Sequence, residues 1–346
     1  MKNKKVLFLI ATVFILTILS GCSDDRQTLN VYNWGDYINP EVIDIFEDEF
    51  NVKVVYDTFA TNEDLYVKIK QGGSSYDVIF PSDYMIERMI REDLLQKIDL
   101  NKISNIKNVD EKFMNLDYDP NNEYSVPYMW GTVGIIYNKN LVDRPITKWA
   151  DLWDEEFKGE IIMLNSQRDS LAVALKKLHY SLNTRDINEL EEAKNELIKQ
   201  KPLVYAYQGD EIKDTIISED AAIGVVWSGD AVAMMRENEN LVYVLPEEGT
   251  NLWFDAMVIP KGAKNVDLSH EFINFMLRPE IAAKNAEYIG YSSPIPKAVD
   301  LLSDDLRNNE VAYPDFDKLN NTEIFKDPSD ILQEYDRIWT EVISSK

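Results

Sequence analysis

Hydrophobic and polar positions alternate between strand-like and helix-like spacing in the first part of the chain. Short β-prone runs occupy 29–33, 52–56 and 77–80, and the segments 40–50 and 62–71 between them carry apolar residues at helical spacing. Asn39 and Pro40 supply an N-cap and a first helical residue for the first of these helices. Strand-helix-strand-helix-strand in so short a stretch predicts a parallel sheet with right-handed crossovers. The expected fold class is therefore α/β.

The rest of the chain continues the same alternation, without internal repeats or low-complexity segments. From this pattern and the length of 346 residues alone, we expect two sequential domains. Further strands are predicted at 131–137, 160–164, 221–226, 241–245 and 251–260, and helices at 170–180, 186–201, 210–218, 270–277, 279–289 and about 329–343.

The N-terminus has the pattern of an export signal. Three lysines fall within the first five residues, and an uncharged apolar run follows at 6–19, which is too short for a membrane-spanning helix of about 20 residues. The run ends in LSGC at 19–22, which resembles the bacterial lipobox, and Cys22 is the single cysteine. We predict a lipoprotein signal peptide at 1–21, a lipidated Cys22 and a polar tether at 22–27. The protein would then be anchored by acyl chains at the outer face of the cytoplasmic membrane.

Charge and composition exclude several functions. The chain carries 36 basic and 61 acidic side chains, and this excess of acid argues against nucleic acid as a partner. One cysteine and two histidines, His179 and His270, exclude a Cys/His zinc site and a disulfide within the chain. There is no G-x-S-x-G turn around a nucleophile and no Walker A motif. We therefore predict no catalytic residues, no metal and no cofactor.

Aromatic and acidic side chains occur together where predicted strands end. A carboxylate accepts charged hydrogen bonds from an alkyl-ammonium ion, and an indole face adds a cation–π attraction of about 0.5–2 kcal/mol. Because ligands of open α/β sheets bind beyond the carboxyl ends of strands, these corners are candidate binding elements. Sugars use the same side chains, so this pattern alone leaves polyamine and sugar open. The corners are Trp34/Asp36/Tyr37, Trp227/Asp230 and Trp253/Asp255, with Tyr84 and Tyr291 in similar loop positions.

Several longer motifs follow one another along the chain after the signal. They are YNWGDY (32–37), YDVIFPSDY (76–84), SVPYMWG (125–131), WADLW with FKG (149–159), NFMLRP (274–279) and AEYIGY (286–291). In order and with similar spacing, over nearly the whole of this part of the chain, they resemble the bacterial periplasmic spermidine/putrescine-binding proteins.

This resemblance implies a two-lobed periplasmic-binding-protein fold of type II, with the ligand cleft between the lobes. It implies a first α/β lobe of 28–135 plus 257–290 and a second of 136–256 plus 291–346. The implied function is polyamine capture by lobe closure and delivery to the permease of an ABC transporter, and we expect a monomer. Carried over position by position, the ligand-binding residues are Trp34, Asp36, Tyr37, Ser82, Tyr84, Asp169, Trp227, Asp230, Trp253, Asp255 and Tyr291.

The sequence departs from the family pattern in ways that leave the choice between putrescine and spermidine open. Ser166 stands where spermidine-preferring members have an acid, and a C-terminal glutamine of the family has no clear counterpart near Phe325. Trp227 with Asp230 resembles the putrescine type, whereas Trp253 resembles the spermidine type.

Three alternative functions also remain open at this stage. The first is a receptor of the same fold for a sugar or a quaternary amine, and the second is an anchored glycosidase that uses Asp230 and Asp255 as acid and base. The third is an iron or anion receptor of the same fold: Tyr84 and Tyr291 are a weak match to the paired tyrosines of iron sites, and the carboxylates disfavour an anion.

Overall fold

The computed structural model describes residues 26–72, 75–316, 319 and 321–345. The predicted signal peptide and Cys22 lie outside these residues. The strands are β1 (Gln27–Asn33), β2 (Val52–Thr58), β3 (Val78–Ile79), β4 (Ser125–Asn138), β5 (Ile161–Leu164), β6 (Val204–Gln208), β7 (Ile223–Trp227), β8 (Leu241–Val244) and β9 (Leu252–Val258). The helices are α1 (Pro40–Phe50), α2 (Asn62–Gln71), α3 (Asp83–Arg91), α4 (Gln167–Lys177), α5 (Ile187–Gln200), α6 (Ile212–Ile217), α7 (Ser228–Glu237), α8 (Val266–Met276), α9 (Pro279–Ile289), α10 (Pro296–Val299), α11 (Asp304–Arg307) and α12 (Leu332–Ser344).

The predicted parallel unit at the start of the chain is confirmed. β1 pairs in parallel with both β2 and β3. The Asn39 side chain accepts the backbone N–H of Glu41 and so begins α1, and the left-handed Asn51 ends it. Phe46 on the buried face of α1 packs against Phe272 of α8, with ring centroids 5.0 Å apart. A helix from the start of the chain thus packs against one that follows β9.

The long strand β4 belongs to two sheets. Its first part, from Ser125 to Thr132, pairs antiparallel with β9, and β9 in turn pairs with β3. Its second part, from Val133 to Asn138, pairs antiparallel with β7 and β8. We call β2, β1, β3, β9 and the first part of β4 the first sheet. The second sheet comprises the second part of β4 with β8, β7, β5 and β6, of which β5 pairs in parallel with β6 and β7.

The two-lobed α/β architecture implied by the resemblance is confirmed, whereas the pattern-based expectation of sequential domains is wrong. Because β9 returns to the first sheet after β5 to β8 have formed the second, the lobes are interleaved along the chain. The residue boundaries of the lobes stay a prediction. No helix within the described ranges is long and apolar enough to cross a membrane.

Candidate functional site

The site is built around Asp255, which lies on β9 of the first sheet. Strand alternation places Trp253 and Asp255 on one face of β9. The Tyr37 hydroxyl donates a 2.7 Å hydrogen bond to Oδ2 of Asp255. The other oxygen, Oδ1, is buried and has no hydrogen-bond partner among the described residues. An unpaired buried carboxylate oxygen is costly, and it therefore indicates a place where a donor from a ligand would bind.

The environment of Asp255 disfavours its charged form. Burial raises the pKa of Asp255 to about 6. Hydrogen bonding with the hydroxyls of Ser82 and Tyr37 lowers this pKa in part, whereas the negative charge of Asp169 raises it further. A cationic group beside this carboxylate would restore its ionised form.

Aromatic rings form the wall beside Asp255. The ring of Tyr291 lies edge-to-face with Tyr37 at 5.5 Å and with Trp253 at 5.2 Å between centroids. Gly229, on α7, is needed for this arrangement, because a Cβ at this position would lie 2.2 Å from the Tyr291 ring. Gly131 likewise leaves room for the Trp253 ring, which would be 2.5 Å from an added Cβ. The wall is therefore fixed by β4 in the first sheet and by the helix α7.

Asp230 forms the acidic end of the site in the second sheet's lobe. It lies in the first turn of α7, is 7% exposed and interacts with the Tyr291 hydroxyl. Burial raises the pKa of Asp230 to about 6, although the ammonium of Lys213 acts in the opposite direction. Nζ of Lys213 lies 3.6 Å from Asp230 and 3.8 Å from Asp36, which stands at the exposed rim of the cleft after β1. This end therefore already contains one protein cation.

Asp169 forms a second acidic end. It is buried in the first turn of α4, where the Ser166 hydroxyl accepts its backbone N–H and caps the helix. Burial raises the pKa of Asp169 to about 6, and hydrogen bonding with Ser166 and the charge of Arg168 lower it only in part. Ser166, where an acid of the family is missing, thus serves as a helix cap.

The residues around this second end come from distant parts of the chain. The Tyr84 hydroxyl donates a 3.1 Å hydrogen bond to Glu63, and its ring lies edge-on to Phe325 at 6.1 Å. The Ser82 hydroxyl accepts a hydrogen bond from the amide of Asn62. Phe325, near which the family glutamine was expected, therefore supplies an apolar ring next to Tyr84.

The two tryptophans of the first and second corners are partly exposed. The ring of Trp34 packs on Phe59 with centroids 4.5 Å apart, and its buried Nε1 has no hydrogen-bond partner among the described residues. Trp227 ends β7 directly before α7. That all eleven predicted residues bind ligand stays a prediction. Tyr37, Ser82, Trp253, Asp255, Tyr291 and Asp230 form one linked set. Tyr84 interacts with Asp169, and Asp36 is joined to Asp230 through Lys213, whereas Trp34 and Trp227 are near these residues in sequence.

Residues 41–313 match the sequence profile of the family described as bacterial extracellular solute-binding proteins. The chain belongs to this family. The solute-binding protein is 38% identical over 332 residues to the spermidine/putrescine-binding periplasmic protein of Escherichia coli K12, covering 94% of this chain and 95% of that one.

Solved structures agree with this assignment. A protein of Listeria monocytogenes assigned as a spermidine/putrescine ABC transporter superposes with a TM-score of 0.90 at 46% identity, covering 92% of this chain and all of that chain. The spermidine/putrescine ABC transporter substrate-binding protein of Streptococcus pneumoniae superposes with a TM-score of 0.80 at 45% identity, covering 92% and 98% of the two chains. The resemblance predicted from the motifs is confirmed.

Sequence reasoning on this solute-binding protein missed charged residues that face the site. Lys213 lies on the short helix α6, which the sequence pattern predicted. A single lysine in the sequence DEIKD, however, does not indicate a binding residue. Arg168 is 3% exposed, stacks over the ring of Phe325 at 4.4 Å and lies next to Asp169. The sequence analysis identified Asp169, and the position of Arg168 directly before it was the one signal that could have indicated this arginine.

Proposed function

We propose that this solute-binding protein binds a polyamine, putrescine or spermidine, in the cleft between its lobes and delivers it to the permease of an ABC transporter. The observation that carries the proposal is Asp255, whose buried Oδ1 has no hydrogen-bond partner among the described residues. The named relatives are spermidine/putrescine-binding proteins, and they support the same ligand class.

Three buried carboxylates favour a ligand with more than one positive charge. Burial raises the pKa values of Asp169, Asp230 and Asp255 to about 6 each. A buried charge needs a partner of opposite charge, since an unpaired one is strongly destabilising. Lys213 already pairs with Asp230, but a neutral sugar would leave Asp255 without a cationic partner. Ammonium groups spaced along an alkyl chain would instead pair with Asp255 and Asp169. The aromatic wall of Tyr37, Trp253 and Tyr291 then packs against the methylene groups between the charges.

The same features argue against the other candidates. The hydroxyls of Tyr84 and Tyr291 interact with different carboxylates, Glu63 and Asp230, which does not favour a paired-tyrosine iron site. Asp230 and Asp255 are both buried beside aromatic rings with similar pKa values, so their environments do not divide into a proton donor and a nucleophile. We therefore infer a receptor and not an enzyme.

Anchoring and assembly belong to the same proposal. The LSGC sequence at 19–22 supports lipidation of Cys22, which would place the receptor at the outer face of the membrane near its permease. We propose that it acts there as a monomer whose two lobes close on the ligand.

Calorimetry on the fragment from Ser23, unfolded and refolded to remove carried-over ligand, tests the function. Putrescine, spermidine, choline and a maltooligosaccharide are titrated separately. Tight one-to-one binding of putrescine or spermidine, without heat from the other two, is the expected result. Binding of the sugar or of choline alone would replace the proposal with the receptor for that ligand.

A further inference from the structure

The ammonium of Lys213 lies where the two lobes face each other. It is 3.6 Å from Oδ1 of Asp230, in the lobe of the second sheet, and 3.8 Å from Oδ2 of Asp36, which follows the first strand of the first sheet. Only 23% of the Lys213 side chain is exposed, compared with 81% for Asp36. The lysine thus reaches into the cleft from α6 and pairs with carboxylates of both lobes.

The carboxylate of Asp210 also lies close to Lys213 and the Asp36 loop. Oδ2 of Asp210, just before α6, would lie 3.2 Å from a Cβ added at Gly35 across the cleft. Burial lowers the pKa of Lys213, but the charges of Asp230, Asp210 and Asp36 raise it more, so that its pKa lies above the ordinary value. Lys213 therefore remains an ammonium ion throughout the physiological pH range.

A chain of contacts connects Asp230, beside Lys213, to the other acidic groups of the cleft. Asp230 interacts with the Tyr291 hydroxyl, Tyr291 contacts Tyr37, and the Tyr37 hydroxyl binds Asp255. Asp255 also pairs with Ser82 in a β-bridge, and the ring of Tyr84 lies 5.5 Å from the guanidinium of Arg168, the neighbour of Asp169. Asp255 is thus connected to Asp169 through Ser82 and Tyr84, and to Asp230 through Tyr37 and Tyr291. Among the residues that the structure describes, Asp230 is the one of these three carboxylates that has an ammonium as a salt-bridge partner.

We propose that Lys213 determines ligand specificity by occupying the amine position at the Asp36–Asp230 end. The proposal rests on the function proposed above. A diamine with its charges at Asp255 and Asp169 binds without disturbing Lys213. A triamine must place its third ammonium at the Asp36–Asp230 end and has to displace the lysine. Lys213 thereby disfavours the longer, more highly charged polyamine relative to the shorter one.

The size of this effect follows from competition within one molecule. If the ion pair occupies the position in about nine of ten molecules, the apparent affinity of a ligand that needs the position falls about tenfold. A ligand that does not need the position is unaffected apart from a longer-range charge effect, which salt screens. The ratio of the two dissociation constants is therefore the quantity to measure.

Calorimetry of putrescine and spermidine on the wild type, Lys213→Met and Lys213→Arg tests the assignment. We expect Lys213→Met to bind spermidine about tenfold more tightly, with putrescine affinity within about threefold of the wild type. Lys213→Arg, which keeps the charge, should retain the wild-type ratio. Lys102→Met serves as the matched control, because Lys102 pairs with Asp267 on the surface outside the cleft.

An unchanged ratio in Lys213→Met, or equal weakening of both ligands, would overturn the assignment, since a merely structural lysine affects both ligands alike. If the methionine variant does not fold, Lys213→Gln, which removes the charge and keeps a polar group, decides between these results. A wild type that binds neither polyamine would instead refute the proposed function, and this assignment with it.

Discussion

The Tyr37 hydroxyl donates a 2.7 Å hydrogen bond to Oδ2 of Asp255, although the two residues are 218 positions apart in the chain. Tyr37 follows the first strand of the first sheet, and Asp255 lies on the strand that returns to this sheet after the second lobe has formed. The bond directs one carboxylate oxygen to the protein and leaves Oδ1 for another donor. The folding of the interleaved lobes thus creates the ligand-facing carboxylate.

Replacing Asp255 by Asn should stabilise the ligand-free protein at pH 7.5. Its pKa rises from 3.8 to about 6 on folding, so the folded state binds more protons than the unfolded state between these values. The stability associated with Asp255 is therefore present below about pH 4 and is lost as pH rises through about 6. We expect a gain of ~1–3 kcal/mol at pH 7.5, seen in calorimetric unfolding, and little gain at pH 4.

Asp267→Asn is the matched control for this stability change, because Asp267 is exposed and paired with Lys102. Destabilisation of Asp255→Asn by the same amount at pH 4 and at pH 7.5 would contradict the account, since its cause would then be lost packing and not a buried charge.

Polyamine affinity should fall as the solution becomes acidic. Burial raises the pKa values of Asp169, Asp230 and Asp255 to about 6, and an ammonium ion pairs with the ionised forms only. We expect constant affinity above about pH 7 and a progressive loss below about pH 6. Titrations in buffers of different ionisation enthalpy, from pH 5 to 8, would also detect the protons released on binding near pH 6. An affinity that is flat across this range would mean that these groups do not face the ligand.

A methyl group at Gly229 should weaken binding while the fold is kept. The Cβ of Gly229→Ala would lie 2.2 Å from the Tyr291 ring, so that the ring has to leave its place between Tyr37 and Trp253. We expect a loss of affinity of at least about tenfold, which is about 1.4 kcal/mol. Gly262→Ala is the control, because a Cβ there meets nothing within 4 Å. Equal binding by both variants would remove Tyr291 from the site.

Trp253→Ala should weaken binding by a smaller factor than the loss of Asp255. The substitution removes the ring that contacts Tyr291 but leaves no charge without a partner. We expect Trp253→Phe to recover part of the affinity, because a ring face is restored. The comparison is made by calorimetry at pH 7.5. A phenylalanine variant as weak as the alanine variant would indicate that the indole N–H, which donates to the Thr132 carbonyl, matters more than the ring face.

Local sequence patterns predicted the α/β class and most of the elements, because helical caps and apolar periodicity are local signals. They missed β6, in which no side chain is fully buried, so that no strongly apolar face marks the strand. They also started β4 at 131, six residues late, because Pro127 and the irregular pairing beside it disguise the strand. The interleaving of the lobes depends on long-range pairing of β4 with β9, which no local pattern reports.

The candidate site was predicted from motifs, whereas its electrostatics needed the structure. Trp253 and Asp255 are two residues apart on a strand, so that their common face could be inferred from spacing. The approach of Lys213 to Asp36 joins residues of different lobes, and no sequence spacing predicts it.

The central claim is that Asp255 holds an ammonium group of the ligand, and calorimetry of Asp255→Ala with putrescine and spermidine tests it most directly. Loss of one partner of a buried ion pair costs about 3–5 kcal/mol, which is roughly a hundredfold to a few thousandfold in affinity. We predict that the variant, folded and with Asp267→Ala as the control, gives no measurable heat with either ligand. Wild-type affinity in Asp255→Ala would contradict the account.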